Sequence, residues 1–176
     1  MFKRLIPLFV LVFLAVGCAS MQAQSTPQYT ANTAKPVITQ AYASPEMRVG
    51  DTWKIYINAV DPNSNMNYIV ATIDQPGRGG YEASWTRIKG GGSHELSGYI
   101  YFNTVSNVQQ GLNFTNITLT VQVKDKAGNL SNSVSFPLHF TYTARQEPPA
   151  PGVFQDKNLG PVMIQIHPLG DSGKFD

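Results

Sequence analysis

The feature that most limits the fold is a regular alternation of apolar and polar residues in the C-terminal half of the chain. Apolar residues occupy every second position from Ile117 to Val123, and the same period returns from Ser133 to Thr143. Successive side chains of a β-strand point to opposite faces, so this period predicts two strands that each bury one face. The segment Asp125-Lys-Ala-Gly-Asn129 between them predicts a hairpin turn. Pro137 has no amide hydrogen, which favours an edge or a bulge in the second strand.

The remainder of the region from 36 to 143 also predicts strands. Short runs rich in Val, Ile, Thr, Tyr and Phe are separated by Gly, Pro, Asn and Asp, a pattern typical of an all-β, antiparallel sandwich. Trp53 is expected in its core, and Trp85 in an exposed aromatic patch. Seven strands are predicted, at 37–42, 52–60, 67–74, 81–88, 95–103, 114–124 and 133–143.

The chain opens with the pattern of a signal peptide. Two basic residues precede an apolar run from Leu5 to Val16, and Gly17 precedes Cys18, the only cysteine. The run is shorter than the about 20 apolar residues that a transmembrane helix needs. Residues 1–17 are therefore predicted to be a signal peptide, and the protein is predicted to be exported. An ordinary secretory signal, cleaved in the Ala-rich stretch from 19 to 23, is the alternative.

The ending Ala15-Val16-Gly17-Cys18 resembles the lipobox of bacterial lipoproteins. The resemblance implies cleavage before Cys18 and acyl chains such as palmitate on that cysteine, and no other cofactor is expected. Several acyl chains, at about 0.8 kcal/mol per buried methylene, form a stable membrane anchor. A lone thiol cannot form an internal disulfide, which also favours acylation. Because Ala19 and not Asp follows the cysteine, the resemblance implies the outer membrane.

The charge of the processed chain is expected to be balanced. Removal of the signal peptide takes away two of the 13 basic residues and leaves 11 against the 11 acidic ones. The charges are scattered singly along the sequence, so no basic stripe is expected, and nucleic acid is an unsuitable partner.

Segments without strand periodicity flank the predicted sandwich. Residues 18–35 predict a disordered, lipidated tether. Residues 144–176 form a Pro-rich linker and tail, in which 161–166 has strand character. Two interpretations of that stretch stay open: a strand that docks on a sheet edge of this protein or of a partner, or a disordered tail with a short apolar stretch.

The region from 36 to 143 resembles a bacterial immunoglobulin-like or fibronectin-III-like domain. The resemblance rests on the order of the runs, a Trp in the second run, a Val-Asp-Pro turn at 60–62 and a Val-x-Asp-x-Ala-Gly-Asn hairpin at 123–129. It implies a seven-stranded sandwich whose core is held by apolar burial, since the chain has no cysteine pair. Such a fold does not by itself define a function.

The residues that could carry out catalysis or bind a metal are few. The three histidines fall in different predicted elements, and no Gly-x-Ser-x-Gly pattern occurs, so an enzyme is not expected. Oxygen ligands in two turns at one end of the sandwich form a weak calcium candidate: Asp61, Asn63, Asn65, Asp125 and Asn129. Asp and Asn also stabilise turns by hydrogen-bonding the backbone, and this interpretation, without a metal, is favoured.

Three tyrosines predict a candidate binding face. If the second and fifth strands pair, Tyr56, Tyr99 and Tyr101 share one outer face, framed by Lys54 and Asn58. Tyrosine suits protein interfaces and stacking on sugars, but aromatic pairs across strands also stabilise a sheet without binding anything. The expected function is a lipid-anchored, non-catalytic binding or accessory module for an envelope protein. Carbohydrate or peptidoglycan binding through the tyrosine face is the alternative.

Overall fold

The computed structural model describes residues 34–90, 94–104 and 115–167. The predicted signal peptide, the lipidation site and nearly all of the tether lie outside the described residues. Within them the chain forms β-strands and no helix. The strands are β1 (Val37–Ala43), β2 (Glu46–Arg48), β3 (Thr52–Val60), β4 (Met66–Gln75), β5 (Gly79–Gly80), β6 (Ser84–Arg87), β7 (Glu95–Asn103), β8 (Asn116–Asp125), β9 (Val134–Thr141) and β10 (Asn158–Pro161).

The strands form two sheets whose apolar faces share one core. Sheet A has four strands in the order β1-β3-β7-β10. Sheet B has six, in the order β2-β9-β8-β4, with both β5 and β6 paired to the far side of β4. The expected all-β, sandwich-like fold is confirmed at this level.

The strand count and the antiparallel pairing differ from the prediction. The described chain has ten strands instead of seven, and two pairs are parallel: β2 with β9, and β10 with β7. The run predicted at 81–88 forms a strand only from Ser84 to Arg87, preceded by the two-residue β5. The added strands have two to four residues. Strands this short contain too few alternations to produce a period in the sequence.

The alternation at 117–123 corresponds to the buried face of β8, as expected. Val121 and Val123 are fully buried there, and β8 pairs antiparallel with β9. Pro137 pairs with Thr118 in the part of β9 that β2 does not reach, because β2 pairs only from His139 onwards. The missing amide hydrogen therefore costs no bond to a second neighbour.

Trp53 is part of the core. Its side chain is fully buried, its ring packs edge-on against Phe136 at 6.5 Å, and its Nε1 donates a hydrogen bond of 2.8 Å to the Ser44 carbonyl. That bond satisfies the only polar atom of a large side chain in an apolar environment.

The C-terminal segment packs on sheet A. We call residues 146–157 the strap, because they cross the outer face of this sheet before β10 adds to the edge of β7. The docked strand begins three residues earlier than the stretch predicted at 161–166, and it joins the chain's own sheet. Leu159 within β10 is buried, and so are Val162 and Ile166 in the chain beyond it.

Candidate functional site

The predicted tyrosine face is assembled as the strand pairing requires. In the pairing of β3 with β7, Tyr56 lies opposite Tyr99 and Lys54 opposite Tyr101. The rings of Tyr56 and Tyr99 are 5.5 Å apart, and Lys54 Nζ lies 4.1 Å from the centre of the Tyr99 ring. Asn58 is on the same face. All five predicted residues therefore lie on one outer face.

The strap occupies much of this face, which the sequence did not predict. Phe154 packs its ring 5.7 Å from that of Tyr56, and Asn58 Nδ2 donates a hydrogen bond of 2.9 Å to the Val153 carbonyl. Between the strap and the sheet a cavity of 260 Å³ remains. It is lined by Ser44, Thr52, Lys54, Tyr56, Gln146, Glu147 and Pro148.

Two ionisable groups that contact the strap have raised pKa values, Lys54 and Tyr42. Burial alone would lower the pKa of Lys54. Its 3.2 Å hydrogen bond to Asp156 outweighs burial, together with the negative charges of Asp156 and the nearby tyrosines, and the pKa is raised. Burial, together with the negative charge of Glu147, raises the pKa of Tyr42, whose hydroxyl donates to the Glu147 carbonyl at 3.1 Å. In its protonated form each group donates a hydrogen bond to the strap.

The two aspartates of the candidate calcium set, Asp61 and Asp125, stabilise turns. The buried carboxylate of Asp61 accepts hydrogen bonds from the backbone N–H groups of Asn63 and Asn65, at 3.0 and 2.9 Å. The buried carboxylate of Asp125 accepts two bonds of 2.8 Å from the backbone and side chain of Asn129. A backbone bond of 3.1 Å to the Asn65 carbonyl joins the two turns, which do lie at one end of the sandwich. No cluster of three or more His, Cys, Asp or Glu side chains suited to a metal occurs in the described ranges.

The three histidines have separate local partners. His94 Nδ1 lies 2.8 Å from the Asp61 carbonyl, and His139 Nδ1 lies 2.6 Å from Asn116 Oδ1. The backbone N–H of His167 donates to the Tyr81 hydroxyl at 3.1 Å. Each imidazole thus lies in a different part of the fold.

A second aromatic surface lies on the outer face of sheet B. Trp85 is 51% exposed, its ring stands edge-on to Tyr68 at 5.9 Å, and Lys124 Nζ lies 4.9 Å from its ring centre. Strand β4 runs between β6 and β8, so Tyr68 is paired with both Arg87 and Lys124, and Val70 with Trp85. We call Tyr68, Val70, Trp85, Arg87 and Lys124 the tryptophan surface. The sequence suggested only that Trp85 belongs to an aromatic patch.

A basic groove adjoins the tryptophan surface. It consists of two cavities of 360 and 500 Å³ that are both lined by Arg87 and Lys89. The smaller cavity is also lined by Trp85, Tyr101, Met163 and other residues of β6 and the C-terminal segment. The larger cavity is also lined by Asn67, Ile88, Gly90 and Lys126. The sequence did not predict this grouping of cations. Arg87 and Lys126, which are 39 positions apart in sequence, line the same cavity.

No protein-family model matches the chain, and no curated protein matches it. Within the part of the chain that the structure describes, no helix has the length and apolar character needed to cross a membrane.

Proposed function

We propose that this chain is a lipid-anchored, non-catalytic binding module whose partner is an envelope protein. In this proposal the signal peptide is removed, Cys18 carries acyl chains at the outer membrane, and an immunoglobulin-like sandwich makes the contact. The observation that carries the proposal is the tryptophan surface, with a half-exposed Trp85 held between Tyr68 and Lys124.

The chemistry of this surface fits a protein interface. Trp, Tyr and Arg are enriched in interfaces and supply most residues whose truncation strongly weakens binding. Trp85 is already fixed by its neighbours, so little side-chain entropy is lost when a partner covers it. The outer face of sheet A is partly covered by the strap, whereas Trp85 on sheet B presents half its surface. Sheet B is therefore the better contact face.

Trp85→Ala is expected to weaken partner binding by about 30-fold or more, which corresponds to a loss of about 2 kcal/mol. The partner is first captured by a photo-crosslinker at Thr72, on the same outer face, and its affinity for each variant is then measured. Tyr142→Ala is the matched control, because Tyr142 is also an exposed aromatic residue, at 62%. Equal losses in both variants would contradict the proposal.

Carbohydrate or peptidoglycan binding through the tyrosine face is the second candidate. The cavity beside Tyr56 favours it, since Thr52, Gln146 and Glu147 offer both donors and acceptors to sugar hydroxyls next to an aromatic ring. Binding to isolated peptidoglycan that is lost in Tyr56→Ala but kept in Trp85→Ala would support this candidate over the first.

Cys18→Ser is expected to move the protein from the outer-membrane fraction to the soluble periplasmic fraction, because the acyl chains supply the anchor. Intact mass spectrometry of the wild-type protein should show the mass of the chain from residue 18 plus its acyl groups. A wild-type protein that lacks these groups and is soluble would exclude the proposed anchor.

A further inference from the structure

Basic side chains are concentrated beside the tryptophan surface, although the processed chain is predicted to be neutral. Arg87 and Lys89 line both cavities of the basic groove, and Lys126 lines the larger one. Lys124 lies over the Trp85 ring. None of the four cations forms an ion pair within the described part of the chain, and no Asp or Glu is among the described lining residues. The groove therefore carries positive charge that its own surroundings do not neutralise.

The hydrogen-bonding groups of the groove restrict its ligand. Arg and Lys side chains only donate hydrogen bonds, so the ligand must provide acceptors. The Thr86 hydroxyl is already engaged, since it donates to the Pro161 carbonyl at 2.6 Å. A neutral sugar would also need acceptors for its own hydroxyl protons, and the described lining supplies few beyond two Asn side chains. Carboxylate or phosphate oxygens match this set of donors better.

The groove also has an apolar side. Trp85, Tyr101 and Met163 line the smaller cavity, and Met163 is 76% exposed. An exposed methionine adapts its shape to apolar side chains of a partner. The ligand should thus combine negative charge with apolar groups in one extended segment, as a peptide does.

We propose that the basic groove binds an acidic segment of the protein partner, in which Asp or Glu residues are interspersed with apolar ones. The carboxylates pair with Arg87, Lys89 and Lys126, and an apolar side chain packs on Trp85 and Met163. This inference rests on the proposed function, because it specifies which part of the partner is bound. The positive groove also increases the rate of association with an acidic partner.

The test uses the full chain in detergent and a fluorescent peptide of Glu-Glu-Leu repeats. Arg87→Glu combined with Lys89→Glu is expected to weaken peptide binding at least about tenfold, and added salt should weaken binding to the wild type by screening the charges. Lys35→Glu combined with Arg145→Glu makes the same change in net charge at exposed positions that line neither cavity. This control pair is expected to bind within about twofold of the wild type, because distant surface charges are screened.

The proposal is overturned if the peptide does not bind, or if the control pair loses as much affinity as the groove pair. It is also overturned if an oligogalacturonate or a single-stranded oligonucleotide of equal charge displaces the peptide at lower concentration than unlabelled peptide does. If charge reversal unfolds the protein in thermal melts, Arg87→Gln combined with Lys89→Gln replaces it. If partner capture depends on Trp85 but not on Arg87 and Lys89, the proposed binding function is supported and the acidic segment is excluded.

Discussion

Replacement of Trp53 by Ala is expected to lower the free energy of unfolding by about 3–5 kcal/mol, the range for truncation of a large buried aromatic side chain. The indole is fully buried and packs against Phe136, so the substitution leaves a cavity in the shared core. It also leaves the Ser44 carbonyl without the hydrogen bond from Nε1. Single domains have only about 5–15 kcal/mol of stability in total. Urea unfolding monitored by circular dichroism measures the loss.

Trp85→Ala is the matched control for this prediction, since the same substitution is made on the outer face of sheet B. It removes ring contacts with Tyr68 and Lys124 but leaves no cavity in the core. We therefore expect the free energy of unfolding to fall by less than about 1.5 kcal/mol. Trp53→Phe keeps a buried ring but removes the donor to Ser44, and it should cost less than Trp53→Ala. A similar loss of stability in the two Trp→Ala variants would contradict the assigned positions of both side chains.

The sequence predicted those parts of the fold that depend on a local period. Alternation identifies β8 and β9, and runs of β-forming residues identify β3 and β7 and assign Trp53 to the core. The same reasoning placed Tyr56, Tyr99 and Tyr101 on one face, because the side-chain direction follows from the strand pairing.

The parts that the sequence did not predict depend on contacts between distant residues. The strap has no period, and it is fixed by single contacts such as Asn58 with Val153 and Lys54 with Asp156. The groove depends on the register that places Arg87 and Lys124 on either side of Tyr68. One local signal was available: Gly98 interrupts the strand pattern of β7, and a glycine within a strand indicates close approach of another backbone.

The close approach at Gly98 explains how β10 reaches the edge of sheet A. A Cβ atom at this position would collide with the Lys157 carbonyl and would lie 2.9 Å from Cγ of Leu159. A Cβ atom on Gly160, in β10, would lie 2.5 Å from Cγ2 of Thr86, which belongs to sheet B. The two glycines allow the C-terminal segment to enter between the sheets, where Leu159 becomes part of the core. The C-terminal segment is thus part of the sandwich. Its deletion would destabilise the fold, and a loss of partner binding in such a variant could not be assigned to a lost contact.

Leu159→Ala is accordingly expected to lower the free energy of unfolding by about 2–5 kcal/mol, as for other buried leucines. Leu159 is 5% exposed in the core, whereas Met163, four residues later in the same segment, is 76% exposed. Met163→Ala should therefore change stability by no more than about 0.5 kcal/mol, as surface substitutions usually do. Chemical denaturation of the two variants gives both values under identical conditions. Equal effects would show that the segment does not contribute its apolar side chains to the core.

Gly98→Ala tests the same docking from the opposite strand. The added methyl group collides with Lys157 and Leu159, and we expect a loss of about 1–3 kcal/mol because the segment must shift outward. At Gly80 the nearest atom to an added Cβ is the Ile73 carbonyl oxygen at 3.9 Å, an ordinary contact. Gly80→Ala should be neutral or slightly stabilising, since alanine reduces the entropy of the unfolded chain. A neutral Gly98→Ala variant would mean that residues 157–159 do not lie against β7, because Lys157 and Leu159 supply the atoms nearest to the added Cβ.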